Sequence, residues 1–502
     1  MKRTLPILML ITFASQAFGL LKDIVLSYFY GASATTDIFL LSLTISTVLF
    51  SLIGVGISTS YVPFFRKVEK EYGELKTNSF TASLYNFLNL VVSVIVVIGF
   101  LFTEQIVSIF AVGFSPLMVE KAVIFTRISL LGGYATVVIL LFNAYLRLHN
   151  QFLTPAINTI IPHIVLIVFI YLSTIFSVYF IIIGAVLGLI AQYLALLFFA
   201  FKKGFRFNKR LHYKKKISKA LVYNSLPVMS SDLFRQINVV VDKSIASQII
   251  VGGISSLNYA SKVNGFVQGI FVLSIANIMY PKISKMVAND EIGKVKLELS
   301  RIIVLVSFFV LPASVGSMVL AKPIVELLFG RGAFDSEDVN MTASVLFYYS
   351  IGIIGFSTRE IILRVFYALK DTRTPMINTL ITVSINITLS IVLSKFIGLD
   401  GIALATSITG IFSAMFLFQK LTRKIGLLNL KEILTSLTKI IIMSTVMGLV
   451  LHYIFFNLLS IMESNSAVII SVISGIVTYL IMGLAFGFIK LEFIKKIINF
   501  KK

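Results

Sequence analysis

Long apolar segments recur along the chain and alternate with short connections that are rich in Lys and Arg. A run of about 20 apolar residues is long enough for a helix to cross the ~30 Å hydrocarbon core of a bilayer. The pattern therefore predicts an all-α polytopic membrane protein with about fourteen transmembrane helices. Their predicted ranges are 4–29, 36–64, 79–103, 119–147, 152–174, 177–201, 219–249, 254–281, 298–321, 338–368, 375–395, 400–420, 434–457 and 466–489.

The first apolar segment begins like a secretory signal peptide, because Lys2 and Arg3 precede it. However, it stays apolar beyond the ~7–15 residues of a signal-peptide core, and it is followed at once by a second span. It also contains Lys22 and Asp23, which a signal-peptide core would not carry. We therefore interpret it as a retained helix.

The composition supports the membrane class and removes several chemistries. The 502 residues are 57% apolar and only 13% charged, whereas soluble domains are about one quarter charged. Cysteine is absent and the four His residues are scattered, so no disulfide, metal site or catalytic thiol is expected. No phosphate-binding loop and no zinc-protease or serine-hydrolase motif is present. The chain is therefore predicted to be neither an enzyme nor an ATP-driven pump, and to need no cofactor except, at most, a coupling ion.

The positive charges predict the orientation in the membrane. Cytoplasmic loops of membrane proteins are enriched in Lys and Arg. The N-terminus and the even-numbered connections contain 29 of these residues, whereas the loops of the opposite face clearly contain only Lys322 and Arg331. Both termini are therefore expected in the cytoplasm. The net charge of +22 follows the membrane topology, and nucleic acid is not expected as a partner.

An internal repeat divides the chain. The hexapeptide at 154–159 returns at 374–379 with an offset of 220, and Asp23 of the first span corresponds to Asp242 of the seventh. Two six-helix lobes with the same orientation are therefore predicted, with the substrate site between them, as in transporters built from parallel repeats. The predicted parts are an N-lobe at 1–201, a basic cytoplasmic loop at 202–218, a C-lobe at 219–422, two further spans within 434–489 and a basic tail at 490–502.

Ionisable residues are concentrated in spans 1, 2, 7 and 8. Each charge that faces lipid at the bilayer centre costs roughly 2.5–3.5 kcal/mol, so these side chains are expected to face a polar cavity. The alternative is that they form ion pairs that hold helices together, for example Asp232 with Arg235. The eight residues are Lys22, Asp23, Asp37, Asp232, Arg235, Asp242, Lys243 and Lys262.

Three groups of motifs make the chain resemble a known family. They are Gly19–Asp23 with Phe29–Ala32 and Thr36–Asp37, then Gln236–Asn238 with Asp242 and Ile245–Ser247, and finally Phe366–Ala368 with Asp371 and Thr374–Pro375. With fourteen predicted spans, two lobes and charged first and seventh helices, the chain resembles the MurJ (MviN) lipid II flippases of the multidrug/oligosaccharidyl-lipid/polysaccharide exporter superfamily. The resemblance covers spans 1–12 by motif and spans 13 and 14 by hydropathy.

The resemblance implies a cavity that receives the diphosphate and sugar headgroup of an undecaprenyl-linked precursor. The implied substrate-binding residues, taken together with the charge pattern, are Lys22, Asp23, Asp37, Arg235 and Lys262. The chain also departs from the family pattern. Gln16 replaces a commonly basic residue, Ser261 replaces an acidic one, and the second span lacks the basic residues that usually follow its acidic residue.

The resemblance further implies a sodium site among spans 7, 11 and 12. The matching positions are Asp242, Asn386, Ser390 and Thr406, which offer the hard oxygen ligands that such a cation needs. An acidic residue that is often expected near Ser390 is missing here. No other metal is expected.

The resulting interpretation is a lipid-linked oligosaccharide flippase of the bacterial inner membrane, with lipid II as the expected substrate and alternating access as the expected mechanism. An exporter of O-antigen or capsule repeat units remains an alternative. A drug/cation antiporter is disfavoured, because basic residues among the cavity charges would repel cations. A membrane glycosyltransferase is disfavoured, because this chain lacks the large outer loop that such an enzyme would need. A monomer that contacts membrane lipids and the cell-wall synthesis machinery is expected.

Overall fold

The computed structural model describes residues 4–208, 215–269, 272 and 274–488. Throughout this part of the chain the regular secondary structure is helical, which confirms the predicted fold class. The first half contains α1 (Thr4–Tyr30), α2 (Ala34–Leu101), α3 (Thr103–Phe110), α4 (Pro116–Leu131), α5 (Gly133–Leu148), α6 (Leu153–Asn158), α7 (Ile161–Ile175) and α8 (Tyr179–Lys202). The second half contains α9 (Lys215–Ile249), α10 (Gly253–Gln268), α11 (Ser274–Ala288), α12 (Ile292–Val319), α13 (Ala321–Phe329), α14 (Ser336–Ile351), α15 (Ile353–Ala368), α16 (Arg373–Ile397), α17 (Leu399–Ile425), α18 (Leu430–Leu458) and α19 (Ser464–Ala485).

Twelve of the fourteen predicted spans coincide with helices that are apolar enough to cross a bilayer. Among the described residues, eleven helical segments are long and apolar enough to span, and α14 with α15 makes a twelfth if this pair, bent by 45°, counts as one span. The helix α2 contains two spans, because the backbone turns at Gly73, where φ is +79°. The predicted seventh and eighth spans are helical as α9 and α10–α11 but carry more polar residues. The total of fourteen stays a prediction.

Two compact units can be distinguished in the chain. The first comprises Met1–Ser255 and Gly332–Phe334, and the second comprises Ser256–Arg331 and Asp335–Lys502. The helix α9 therefore packs with the first unit, where its neighbour is α2. The lobe boundaries predicted from the repeat describe sequence similarity rather than contact density, and they stay a prediction.

The repeat is visible in the helix boundaries. The pair α4 and α5 is interrupted at Gly132, and the pair α14 and α15 is interrupted at Gly352, which is the same position at the offset of 220. Asn150 and Lys370, which are also 220 residues apart, both adopt a left-handed conformation in the turn that follows. The two copies thus share their breaks as well as their helices.

Each unit has its own apolar core. In the first unit, residues of α2, α5 and α8 pack around Phe50, Phe142 and Leu196, which are fully buried. In the second unit, residues of α11, α12, α15 and α17 pack around Ile303, Phe366 and Leu417. The last two helices, α18 and α19, form a separate cluster with α12 and α13, and the hydroxyl of Tyr479 donates to the carbonyl of Phe308 at 2.7 Å.

Candidate functional site

Lys22 and Asp23 form a close ion pair on α1. The Lys22 Nζ lies 2.6 Å from Asp23 Oδ1, and the side chains are 13% and 1% exposed. Among the described residues, the other carboxylate oxygen of Asp23, Oδ2, has no hydrogen-bond partner. One turn earlier, Gly19 lies against the ring of His163 on α7, so this stripe of α1 packs against a helix. The geometry favours the ion-pair alternative for these two residues, and their substrate role stays a prediction.

Asp37 is held at the start of α10. Its Oδ2 accepts the backbone N–H of Gly252 at 2.8 Å, and its Oδ1 accepts the backbone N–H and the hydroxyl of Ser255 at 2.8 and 2.7 Å. A carboxylate at a helix N-terminus compensates unpaired N–H groups and the positive end of the helix dipole. Gly252 has φ of +87°, and a Cβ there would lie 2.2 Å from the carbonyl oxygen of Ala32. The contacts of Asp37 favour a structural role.

Asp232 and Arg235 lie one turn apart on α9 and form an ion pair. The Arg235 Nη2 lies 2.5 Å from Asp232 Oδ1, and the side chain of Arg235 is 67% exposed whereas that of Asp232 is 7% exposed. Ser51 of α2 donates its hydroxyl to Asp232 Oδ2 at 3.1 Å. The predicted pair therefore exists, and its partner on α2 was not found by sequence reasoning. Ser51 is 14 residues from Asp37 and 7 from Thr44, a spacing that puts all three on one helix face.

The two charged residues further along α9 also have partners. The Asn238 Nδ2 donates to Asp242 Oδ2 at 3.0 Å. The Lys243 ammonium group donates to the carbonyl of Leu40 at 3.1 Å and to the hydroxyl of Thr44. Together with the contacts of Asp37 and Ser51, these bonds form an antiparallel polar seam between α2 and the segment from α9 to the start of α10. We call it the α2–α9 seam.

The remaining predicted cationic residue, Lys262, is exposed on α10. It belongs to the second unit, whereas Lys22, Asp37 and Arg235 belong to the first. Among the described residues, no hydrogen bond or ion pair joins the pair of Lys22 and Asp23 to Asp37 or Arg235. The structure thus brings Asp37 and Arg235 onto one seam and places the other predicted residues outside it.

The residues of the predicted sodium site on α16 and α17 are close together. The Asn386 Nδ2 donates to Thr409 Oγ1 at 3.0 Å and to Thr406 Oγ1 at 3.4 Å, and Ser390 donates to Asn386 Oδ1 at 3.4 Å. Asn386 and Ser390 are buried. Their oxygens are of the hard, neutral kind that suits a monovalent cation, but in this arrangement they satisfy one another. Thr409, one turn after Thr406, was not found by sequence reasoning.

A polar clip closes the turn between α15 and α16. Asp371 Oδ2 accepts from Lys424 Nζ at 2.6 Å and from Thr374 Oγ1 at 2.9 Å, while its Oδ1 accepts the Thr374 backbone N–H at 3.0 Å. Burial alone would raise the pKa of Asp371, but these hydrogen bonds and the charge of Lys424 outweigh it and hold the pKa below its ordinary value. The carboxylate therefore caps α16 in its ionised form.

The fold, with two copies of a helical repeat, many apolar spans and charges on α1, α2, α9 and α10, defines a multi-pass membrane transporter. The family model for the lipid II flippase MurJ matches residues 26–476. The chain therefore belongs to the MurJ lipid II flippase family.

Individual relatives are similar to this chain over most of their length. The chain is 28% identical, over 465 residues, to a probable lipid II flippase MurJ of Buchnera aphidicola subsp. Acyrthosiphon pisum, covering 90% of this chain and 89% of that protein. A solved structure of the lipid II flippase MurJ in an inward closed conformation matches with a TM-score of 0.84 and 25% identity, over 96% of this chain and 98% of that one. An inward-facing multidrug transporter of the MATE family matches with a TM-score of 0.67 at 16% identity, over 82% and 94%, which shows a shared fold.

Proposed function

We propose that this protein moves lipid II from the inner to the outer leaflet of the bacterial cytoplasmic membrane by alternating access. The observation that carries the proposal is the family match over residues 26–476, which includes most of the first copy of the repeat and all of the second. The protein acts on its substrate without covalent change, as a monomer that receives the lipid from the cell-wall synthesis machinery. The headgroup of lipid II is an anion, so cationic side chains at membrane depth are the groups that recognise it.

Lys22, Arg235 and Lys262 contact the diphosphate in this proposal. Arg235 supports it by its exposure, since a guanidinium group that is 67% exposed within the predicted seventh span needs an aqueous or anionic environment. Asp23 balances the charge of Lys22, which lies 2.6 Å away. Asp37 contributes by holding the first turn of α10, the helix on which Lys262 lies.

Reconstituted vesicles test the function directly. Purified protein in vesicles with fluorescent lipid II is expected to move the label between leaflets, whereas protein-free vesicles are not. Lys22→Gln and Lys262→Gln are each expected to slow this movement at least tenfold, because each removes a cation that binds the diphosphate. Lys322→Gln, on the exposed face of α13, is the matched control and should keep the wild-type rate.

A wild-type protein that moves lipid II no faster than empty vesicles would refute the function. The same vesicles loaded with an undecaprenyl-diphosphate-linked O-antigen unit test the alternative glycan. Faster movement of that lipid than of lipid II would replace the proposed substrate. A drug/cation antiporter would instead accumulate cationic dyes, and the MATE likeness at 16% identity supports the fold alone.

We also propose sodium as the coupling ion, held by Asp242 with the oxygens of Asn386, Ser390 and Thr406. A ligand can shift a conformational equilibrium only through its different affinity for the two states. Sodium is therefore expected to raise the melting temperature of the wild type relative to potassium, and Asp242→Asn should abolish this difference. A wild type whose melting curve is the same in both salts would remove sodium from the mechanism.

The proposed orientation has both termini in the cytoplasm. The chain has no cysteine, so single cysteines can be introduced without background. A cysteine at Asn465 is expected to react with an impermeant maleimide in intact cells, whereas one at Asn289 should react only after permeabilisation. The reverse pattern would invert the topology.

A further inference from the structure

The carboxylate of Asp232 links two helices and one exposed guanidinium group. We propose that Asp232 is a positioning residue that, anchored by Ser51 and Gln236, aims Arg235 at a phosphate group of the substrate. The proposal rests on the proposed function in one respect, namely that the substrate headgroup is a diphosphate. Its other premises are contacts within the first unit.

Side chains of both α2 and α9 anchor the carboxylate of Asp232. Asp232 Oδ2 accepts from Ser51 Oγ of α2 at 3.1 Å and from Gln236 Nε2 of α9 at 3.5 Å. Gln236 Nε2 also donates to Ser51 Oγ at 3.0 Å, so the three side chains form a closed ring of hydrogen bonds. Asp232 and Gln236 are only 7% and 6% exposed. The carboxylate is therefore fixed by both helices of the α2–α9 seam.

Arg235 binds the anchored carboxylate through part of its guanidinium group. Its Nε and Nη2 both donate to Asp232 Oδ1, at 3.2 and 2.5 Å. Among the described residues, its Nη1 makes no hydrogen bond. A guanidinium group has five N–H donors in a rigid plane. Two donate to the carboxylate, and of the remaining three, one on each Nη points along the outer edge, a pair that is sufficient for a bidentate contact with phosphate.

Arg235 lies on a different face of α9 from the exposed apolar residues. Leu233 and Ile237 are 39% and 38% exposed on the same helix. At 100° per residue each lies about 160° around α9 from Arg235, so the helix has an open apolar face and a separate open cationic face. The buried Asp232 and Gln236 lie between these faces, against α2. Arg235 is thus presented away from the surface of α9 that suits lipid tails.

Preorganisation of Arg235 lowers the free-energy cost of binding an anion. An arginine side chain carries about 2 kcal/mol of rotamer entropy, which a free side chain would lose on binding an anion. Here the folded protein has already restricted the guanidinium group, so binding phosphate requires less ordering. Asp232→Asn keeps the size and part of the hydrogen bonding of this anchor but removes the charge that orients Arg235.

The test uses purified full-length protein and inorganic pyrophosphate as the probe. Pyrophosphate is expected to raise the melting temperature of the wild type in a saturable way. Asp232→Asn should weaken the apparent pyrophosphate affinity about tenfold, and Arg235→Gln at least as much. Ser51→Ala, a milder change to the same anchor, should weaken it about threefold. Lys322→Gln is the control and should bind like the wild type.

The double variant separates positioning from a general structural role. If Asp232 acts through Arg235, adding Asp232→Asn to Arg235→Gln should not weaken pyrophosphate binding further. A further loss in the double variant, an unchanged affinity in Asp232→Asn and Ser51→Ala, or no response of the wild type to pyrophosphate would each overturn the proposal. Lipid II movement is measured on the same proteins. A wild type that binds pyrophosphate with the expected variant pattern but moves no lipid II would refute the proposed function and retain the positioning role.

Discussion

The two copies of the repeat have the same helix order but differ where their fifth spans begin. In the first copy this span is broken into α6 and α7, whereas in the second copy α16 runs without interruption from Arg373 to Ile397. Pro162 lies just after the break, and its ring would clash with the carbonyl of residue 158 in a continuous helix. The corresponding residue of the second copy is Thr382. One substitution therefore explains the difference in local structure.

A second difference concerns the contact between the fifth and sixth spans of each copy. In the second copy Asn386, Ser390, Thr406 and Thr409 form a hydrogen-bonded cluster between α16 and α17. The same positions of the first copy, at the offset of 220, are apolar, and they are Leu166, Ile170, Val186 and Leu189. An apolar contact is thus sufficient to pack these two helices. Burial of the polar cluster in the second copy costs desolvation free energy that helix packing does not require. The cluster therefore indicates a function other than packing.

The largest expected effect comes from moving the break to the second copy. Thr382→Pro should destabilise the protein by about 3 kcal/mol or more, because it removes a helix hydrogen bond and introduces a clash in the middle of α16. The reciprocal Pro162→Thr should change stability by less than about 1 kcal/mol, since the break is already accommodated there. Melting temperatures of the two variants in the same detergent check this difference. A Thr382→Pro variant as stable as Pro162→Thr would show that the break has another cause.

The polar cluster can be converted to the apolar pattern of the first copy. Asn386→Leu alone should cost about 1–2 kcal/mol, because the amide group that donates to Thr406 and Thr409 is removed. Adding Ser390→Ala, Thr406→Val and Thr409→Val should restore part of this loss, since fully apolar replacement of a buried polar group is often close to neutral. Thermal unfolding of the single and quadruple variants measures both effects. If the quadruple variant is the less stable one, the cluster serves packing, contrary to the comparison.

The charged pair on α15 offers a smaller contrast. The Arg364 Nη2 lies 3.0 Å from Glu360 Oε1, whereas the first copy has Ala144 and Leu140 at these positions. Arg364→Ala combined with Glu360→Leu should be less destabilising than Glu360→Leu alone, by about 1 kcal/mol, because the single change leaves a cation without its partner. A double-mutant cycle on melting temperature tests this. Additive effects of the two changes would mean that the pair contributes nothing to stability.

The smallest expected effect depends on pH. Asp371→Gln introduces the residue of the first copy, Gln151, and should lower stability by less than about 1 kcal/mol at pH 7, because the pair with Lys424 is partly exposed. The folded-state pKa of Asp371 lies below its ordinary value, so its contribution is complete above about pH 5 and disappears as the pH falls below about 4. Melting curves of both proteins between pH 7 and pH 3 should converge at the acidic end. A gap that widens on acidification would contradict the ionised cap.

Local patterns predicted most of the fold. Apolar run lengths located twelve of the spans, and a single hexapeptide gave the offset of 220 at which the helix breaks recur. The break at Pro162 was readable in principle, because proline acts on its own helix. The roles of the charged residues stay predictions, since a charge in a span indicates that a partner exists without indicating which one.

The contacts of Asp37 illustrate this limit. Its partners, Gly252 and Ser255, are more than 200 residues away in the chain, and two of the three donors are backbone N–H groups, which every residue type except proline offers. The sequence therefore predicted a cavity residue, whereas the geometry favours a helix cap. Arg235 was identified by its charge, but Ser51 and Gln236, which hold its partner, are uncharged, and their spacing indicates a helix face without indicating what lies opposite it.

The attachment of α18 to α12 has a consequence for biosynthesis. The face of α12 that receives Met443, Met447 and Leu451 is complete when Val319 has been made, but α18 begins only at Leu430. At about 5–20 residues per second, the ribosome needs roughly 5–20 s to synthesise the intervening segment. During that interval α18 is not yet available to cover this face of α12, and the last helix pair covers it as it enters the membrane. The final step of assembly is thus the completion of the apolar cluster on α12.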